Sequence, residues 1–168
     1  MISKKLEKAI NEQINKELYS EYLYMAMAAY LDANDLEGFA HFFKIQGDEE
    51  RFHAMKFYDY LNERGGRVIM EQIDKPEHEF EGVIDIFEKA YEHEQYVTKL
   101  INDLMDLAIK ENDHATKSLL DWYVDEQVEE EASMEGLLNK LKMIGGKGNG
   151  MLMLDKELGA RTFTPEEE

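Results

Sequence analysis

Four stretches of this chain carry apolar residues at alternating steps of three and four, the spacing that lines one face of an α-helix. The first stripe reads Leu6, Ile10, Gln13, Glu17, Ser20, Tyr24, Met27, Leu31. The second reads Leu36, Ala40, Phe43, Gly47, Glu50, Ala54, Phe57, Leu61. The third reads Val83, Phe87, Ala90, Glu94, Val97, Ile101, Leu104, Ala108. The fourth reads Leu120, Tyr123, Gln127, Glu130, Met134, Leu137, Leu141, Ile144. Each stripe is interrupted near its middle by Glu17, Glu50, Glu94, or Gln127 with Glu130. The interruptions fall at matching depths, so packing the helices gathers them into one layer. Burying one unpaired carboxylate is costly, and burying four together is untenable without cations. No lysine lies on the stripes at that depth. The chain is therefore all-α, a bundle with a charged centre that needs a counter-charge.

Turn signals bound the helices. The first runs over about residues 3–32, capped by Ser3, and the second over about 36–64, capped by Asp35 and stopped at Gly65-Gly66. The third covers about 83–111. The fourth follows the Asn112-Asp113 turn to about residue 144. Glycines at 145, 146, 148 and 150 then break the chain before a short fifth helix over 151–158. Residues 162–168 read as a frayed tail. The bundle occupies 1–145, and 146–168 belongs to the same domain as linker, fifth helix and tail. Short turns make the first and second helices, and the third and fourth, antiparallel neighbours. The segment 67–81 is different. About 15 extended residues span up to roughly 50 Å, against about 44 Å for a 29-residue helix. That segment can run the length of the bundle and make the second and third helices parallel, a job that accounts for so long a loop.

Composition narrows the function classes. At 168 residues the chain builds one substantial core, and its two prolines leave long segments free to be helical. A net charge of −18 repels nucleic acid and anionic membrane and attracts cations. With no cysteine there are no disulfides, thiolate metal sites or iron–sulfur clusters. The N-terminal segment is amphipathic, without a secretory apolar run. No window approaches the roughly 20 apolar residues of a membrane span. A cytoplasmic protein is expected.

The central layer supplies the chemistry. Glu50-Arg51-Phe52-His53 is a Glu-x-x-His motif, whose spacing sets both side chains on one helical face, able to grip one ion. Alone it recurs by chance in many helices, and a lone histidine reads as a satisfied core or surface group. With Glu17, Glu94 and Glu130 on facing stripes it reads as part of a metal site. Carboxylate oxygens with one imidazole suit iron or manganese better than copper or structural zinc. Several carboxylates and one histidine suggest two ions sharing Glu50.

The chain resembles the bacterial non-haem ferritins along essentially its whole length. The likeness lies in the Glu17…Tyr24 pattern, in Gly47-Asp48-Glu49-Glu50-Arg51-Phe52-His53, in Glu94, in Asp125-Glu126-Gln127-Val128-Glu129-Glu130, and in the short C-terminal helix. Ferritin-like carboxylate proteins are the standing example of bundles with such a core site. The resemblance implies a ferritin-like four-helix bundle with a long crossover and a short fifth helix. One iron would take Glu17, Glu50 and His53. The second would take Glu50, Glu94 and Glu130, with Gln127 hydrogen-bonding nearby. A third iron position would draw on Glu49, Glu126 and Glu129 and share Glu130, residues that by periodicity also read as a solvated acidic face. Tyr24 packs in the core and, in line with ferritins, would hydrogen-bond a ligand and pass an electron to oxygen.

Two departures separate the chain from related families. Bacterioferritins and rubrerythrins carry a second Glu-x-x-His on the last bundle helix, where this chain has Gln127-Val128-Glu129-Glu130. Arg51 and Phe52 stand where a bacterioferritin holds haem with methionine, so no haem is expected. Trp122 is assigned packing alone, and Met151-Leu152-Met153-Leu154 apolar packing around a symmetry axis. The resemblance further implies a hollow homo-oligomeric shell of twenty-four chains. That shell would oxidise Fe(II) with dioxygen or hydrogen peroxide and store ferric oxyhydroxide. The alternative on the same fold is a soluble di-iron or di-manganese oxidase or peroxidase.

Overall fold

A computed structural model describes residues 1–165. Its five helices are α1 (Lys4–Ala33), α2 (Glu37–Glu63), α3 (Val83–Lys110), α4 (His114–Ile144) and α5 (Asn149–Leu158). Among the described residues there is no strand, and no helix is long and apolar enough to cross a membrane.

Side-chain caps open two of the helices. Ser3 Oγ accepts from Leu6 N at 3.2 Å and opens α1. Asp113 Oδ1 accepts from Thr116 N at 2.9 Å and opens α4. Its carboxylate also receives both guanidinium nitrogens of Arg64, at 2.9 and 2.8 Å, which ties the end of α2 to the start of α4. Gly145 ends α4 in the left-handed region at φ 75°, where a Cβ would be strained.

Asp35 does not cap α2. It turns the chain at φ 58°, and the N-cap position falls on Leu36, whose side chain offers no acceptor. The first-turn amide of Phe39 is satisfied across the fold instead, by Asp155 Oδ1 of α5 at 3.0 Å. Gly38 permits that approach, because a Cβ there would lie 1.7 Å from the Asp155 carbonyl oxygen.

The segment after α2 returns along α1. Arg67 O and Ile69 N pair with the Asn11 side chain at 2.9 and 2.7 Å, and Asn15 donates to Gln72 O at 3.1 Å. Phe80 ends the run against Tyr30, with ring centroids 5.4 Å apart. The crossover thus traverses the bundle and delivers α3 parallel to α2. Phe39, Phe42 and Phe43, early in α2, all meet Phe87, early in α3.

The apolar core is divided. One cluster, from Leu23 through Leu158, joins α5 to the bundle end containing Phe39, Phe43 and Phe87. The other, from Ile2 through Tyr123, fills the opposite end around Phe57, Ile101 and Leu120. The interrupting polar residues lie between them. The stripes are buried nearly as spaced, with one shift: Leu138 is buried on α4 while Leu137 is only partly so. Steps of four and three average 3.5 residues per turn, and a helix of 3.6 drifts off that register by about 20° per heptad. Leu36 and Ile144, at stripe ends, are likewise half-buried. The tail expected to fray from residue 162 instead lays Phe163 against Phe52, ring centroids 6.0 Å apart. Positions 166–168 of that expectation lie outside the described residues.

Candidate metal centre

Every helix of the bundle contributes to the layer between the two apolar clusters. α1 brings Glu17 and Tyr24, α2 brings Gln46, Glu50 and His53, α3 brings Glu94, and α4 brings Gln127 and Glu130. All eight are buried, with Glu17 and Glu50 1% exposed and Glu94 fully enclosed. Ligand atoms of Glu17, Glu50 and His53 lie within 4.8 Å of one another, as do those of His53, Glu126 and Glu130. His53 belongs to both groups because its nitrogens face different acids. Nδ1 is 3.5 Å from Glu50 Oε2, and Nε2 is 3.9 Å from Glu126 Oε2.

Most of these acids are held by neutral donors. Gln13 Nε2 donates to Glu17 Oε1 at 2.8 Å. The Tyr24 hydroxyl donates to Glu94 Oε1, and Gln127 Nε2 to Glu94 Oε2 at 3.1 Å. Gln46 Nε2 donates to Glu130 Oε2 at 2.9 Å. Glu50 is the exception: neither of its oxygens has a hydrogen-bond donor, and neither does Gln46 Oε1. An orphaned acceptor at such depth costs the free energy of its lost hydration, most of all when it is charged.

The electrostatics follow from that geometry. Burial, then the charges of Glu94, Glu17 and Glu130, push the Glu50 carboxyl well above the usual carboxylate range. Burial and Glu130 raise Glu94 to about 8, against the opposing hydrogen bonds from Tyr24 and Gln127. Burial and the Glu94 charge keep the Tyr24 phenol protonated, hence a donor. These carboxylates share one low-dielectric space, where bound protons or cations must relieve their repulsion. Oxygen donors with one imidazole are a set that iron accepts readily.

A ferritin-like domain matches residues 7–144.

The chain belongs to the ferritin family. Bacterial non-heme ferritin of Staphylococcus saprophyticus is 46% identical over 99% of this chain and 100% of that protein. The Staphylococcus aureus protein of the same name is 43% identical, again over 99% and 100%. Among solved structures, the open-pore ferritin of Archaeoglobus fulgidus superposes with a TM-score of 0.95 at 47% identity, covering 96% of this chain and all of that one. A humanized archaeal ferritin gives 0.97 at 49%, covering 98% and 100%. Binding and storing iron is the function this ferritin shares with its family.

In this ferritin the anticipated inner residues, Glu17, Tyr24, Glu50, His53, Glu94, Gln127 and Glu130, converge. The outer set does not assemble as one group. Glu126 approaches His53, Glu129 is exposed, and Glu49 pairs with Arg161 at 2.8 Å. Besides Gln13, whose place on the first stripe did not announce its bond to Glu17, three contributors escaped sequence reasoning. Gln46 lies four residues before Glu50, one helical turn away, and that spacing was its only signal. Tyr123, on the fourth stripe, donates to His53 O at 2.7 Å and steadies the ligand-bearing turn of α2. Arg161 lay in a stretch with no periodicity. Trp122 packs edge-on to His53, centroids 5.5 Å apart. Ser20 is explained by His93, whose Nε2 it meets at 2.7 Å.

Proposed function

We propose that this ferritin is a ferroxidase, oxidising Fe(II) with dioxygen or hydrogen peroxide at a dinuclear centre in the bundle. Glu17, Glu50 and His53 hold one ferrous ion. Glu50, Glu94 and Glu130 hold the second, with Gln127 and Tyr24 orienting Glu94. Glu49, Glu126 and Glu129, together with Glu130, receive a third ion on its way out. Each ferrous ion gives up one electron to the oxidant, and the protein's part is distance, charge and orientation. Tyr24, a buried phenol bonded to Glu94, is the side chain best set to hand on a further electron. The oxidised iron passes into a homo-oligomeric shell of twenty-four chains in the cytoplasm and is stored there as ferric oxyhydroxide.

The observation that carries this reading is Glu50. It is 1% exposed, its two oxygens lack donors, and it stands among Glu17, Glu94 and Glu130. Two cations on either side of Glu50 satisfy both oxygens at once. Stopped-flow absorbance after adding ferrous salt to aerobic protein tests it. Glu50→Ala and His53→Ala are expected to lose the fast oxidation phase. Wild-type rates in both variants overturn the assignment.

A further inference from the structure

The segment after α5 places a cation on the outermost acid of the site. Arg161 Nη2 lies 2.8 Å from Glu49 Oε2. Its Nη1 donates to Phe42 O at 3.4 Å, and its guanidinium stacks 4.4 Å from the centroid of the Phe42 ring. The Arg161 carbonyl oxygen meets His41 Nε2 at 2.7 Å, and Phe163 closes on Phe52. The tail is therefore fastened along α2 from His41 to Phe52, the flank that carries Glu49. Both members of the ion pair are largely covered, with side chains 21% and 15% exposed.

This contact is particular to Glu49. Glu17 and Glu94 take their donors from Gln13, Tyr24 and Gln127, all neutral. Glu49 is held by a guanidinium, and the other charges acting on it are those of Glu130 and Glu126. A metal ion drawn to these acids meets Arg161 already on one of them. A charge-assisted hydrogen bond is among the stronger polar contacts. A short tether holds its cation at an effective concentration in the millimolar range.

We propose that Arg161 is a tethered counter-ion that competes with metal for Glu49, weakening the third position without touching the dinuclear pair. The inference rests on the third position proposed above. Its consequence is directional. An ion arriving at Glu49 displaces the guanidinium, and the returning guanidinium favours release. The ion's stay is therefore brief. Arg161 is a positioning residue, acting through Glu49.

Calorimetric titration of the assembled apo-protein with Zn²⁺, which is redox-inert, tests the idea. Heat surviving in Glu49→Gln measures all other sites, and the difference from wild type isolates the third ion. Arg161→Gln is expected to tighten that ion on the order of tenfold and leave the first two unchanged, while Arg161→Lys stays near wild type. Phe163→Ala, which loosens the tail but keeps the cation, is expected to fall between. The proposal is overturned if Arg161→Gln leaves the third affinity unaltered although Glu49→Gln abolishes it. It is also overturned if the tightening persists in the double variant, because the effect then bypasses Glu49. If no Glu49-dependent ion binds in any variant, including Arg161→Gln, the third-position reading fails and takes this proposal with it.

Discussion

Tyr24 donates its phenolic proton to one oxygen of Glu94 while Gln127 takes the other at 3.1 Å. Glu94 is thus oriented before any ion arrives, and Glu50, across the layer, is not. One acid is pre-organised by neutral donors, and the other is left for cations to complete.

Replacing Tyr24 by Phe removes the donor and keeps the ring in its apolar socket. A hydrogen bond to a charged group is worth enough to slow oxidation on the order of tenfold, equivalent to about 1.4 kcal/mol. Titration of ferrous ions under anaerobic conditions is expected to show wild-type stoichiometry. An unchanged stopped-flow rate counts against a part for Tyr24 beyond packing.

Stability of the apo-protein is expected to fall as pH rises from about 6.5 to 8. Glu94 is raised from an ordinary 4.5 to about 8, and Glu49 to about 7 by burial and the Glu130 charge. Between those values the folded protein keeps protons that the unfolded chain has released, so each step up in pH favours unfolding. His93, lowered to about 4 by burial, opposes the effect only below about pH 6.5, and Asp113 does not mask it. Its hydrogen bonds from Arg64 hold it well below the usual range, and its stabilisation is lost only in stronger acid. Saturating Zn²⁺ reverses the slope, because its ligands must be deprotonated. At a hundredfold over Kd it adds about 2.7 kcal/mol per site. Scanning calorimetry at pH 6.5 and pH 8, with and without Zn²⁺, checks the sign, and a flat apo profile contradicts it.

Gly38→Ala drives a methyl group into the Asp155 carbonyl, which a Cβ would approach to 1.7 Å. α5 must withdraw, and the bond from Phe39 N to Asp155 goes with it. Overpacking of this kind costs about 1–3 kcal/mol. Hydrogen exchange is expected to speed up first at α5 and the first turn of α2. Protection equal to wild type there rules the account out.

α5 buries Met151, Leu154 and Leu158 in its own bundle but exposes Leu152 by 67% and Met153 by 74%. We propose that this apolar surface, on a helix already packed on its other face, meets further copies of the chain. Leu152→Lys with Met153→Lys is expected to shift light-scattering mass from the shell proposed above toward small oligomers, with helicity by circular dichroism retained. A wild-type mass in that variant excludes α5 from assembly.

The helices and the inner acids were legible because both obey local periodicity. Glu17, Glu50, Glu94 and Glu130 broke apolar stripes at one depth, and depth along a helix is counted in residues. The crossover was legible from its reach. Asp35 misled because a capping residue type beside a helix start says nothing of its own φ, and here the turn required φ 58°. Leu137 misled because small errors in period accumulate along a long helix.

The sequence alone determined the four amphipathic stripes, the layer of acids within them and the need for cations to neutralise it. Those features depend on spacings of three and four residues, which the chain carries wherever it lies. Tertiary structure decided which acid receives which donor. It left Glu50 bare, capped α2 with an aspartate 116 positions from Phe39, and set Arg161 on Glu49 across 112 positions. Such pairs meet only after the helices have packed, because their distances depend on how the whole chain closes and not on any local repeat.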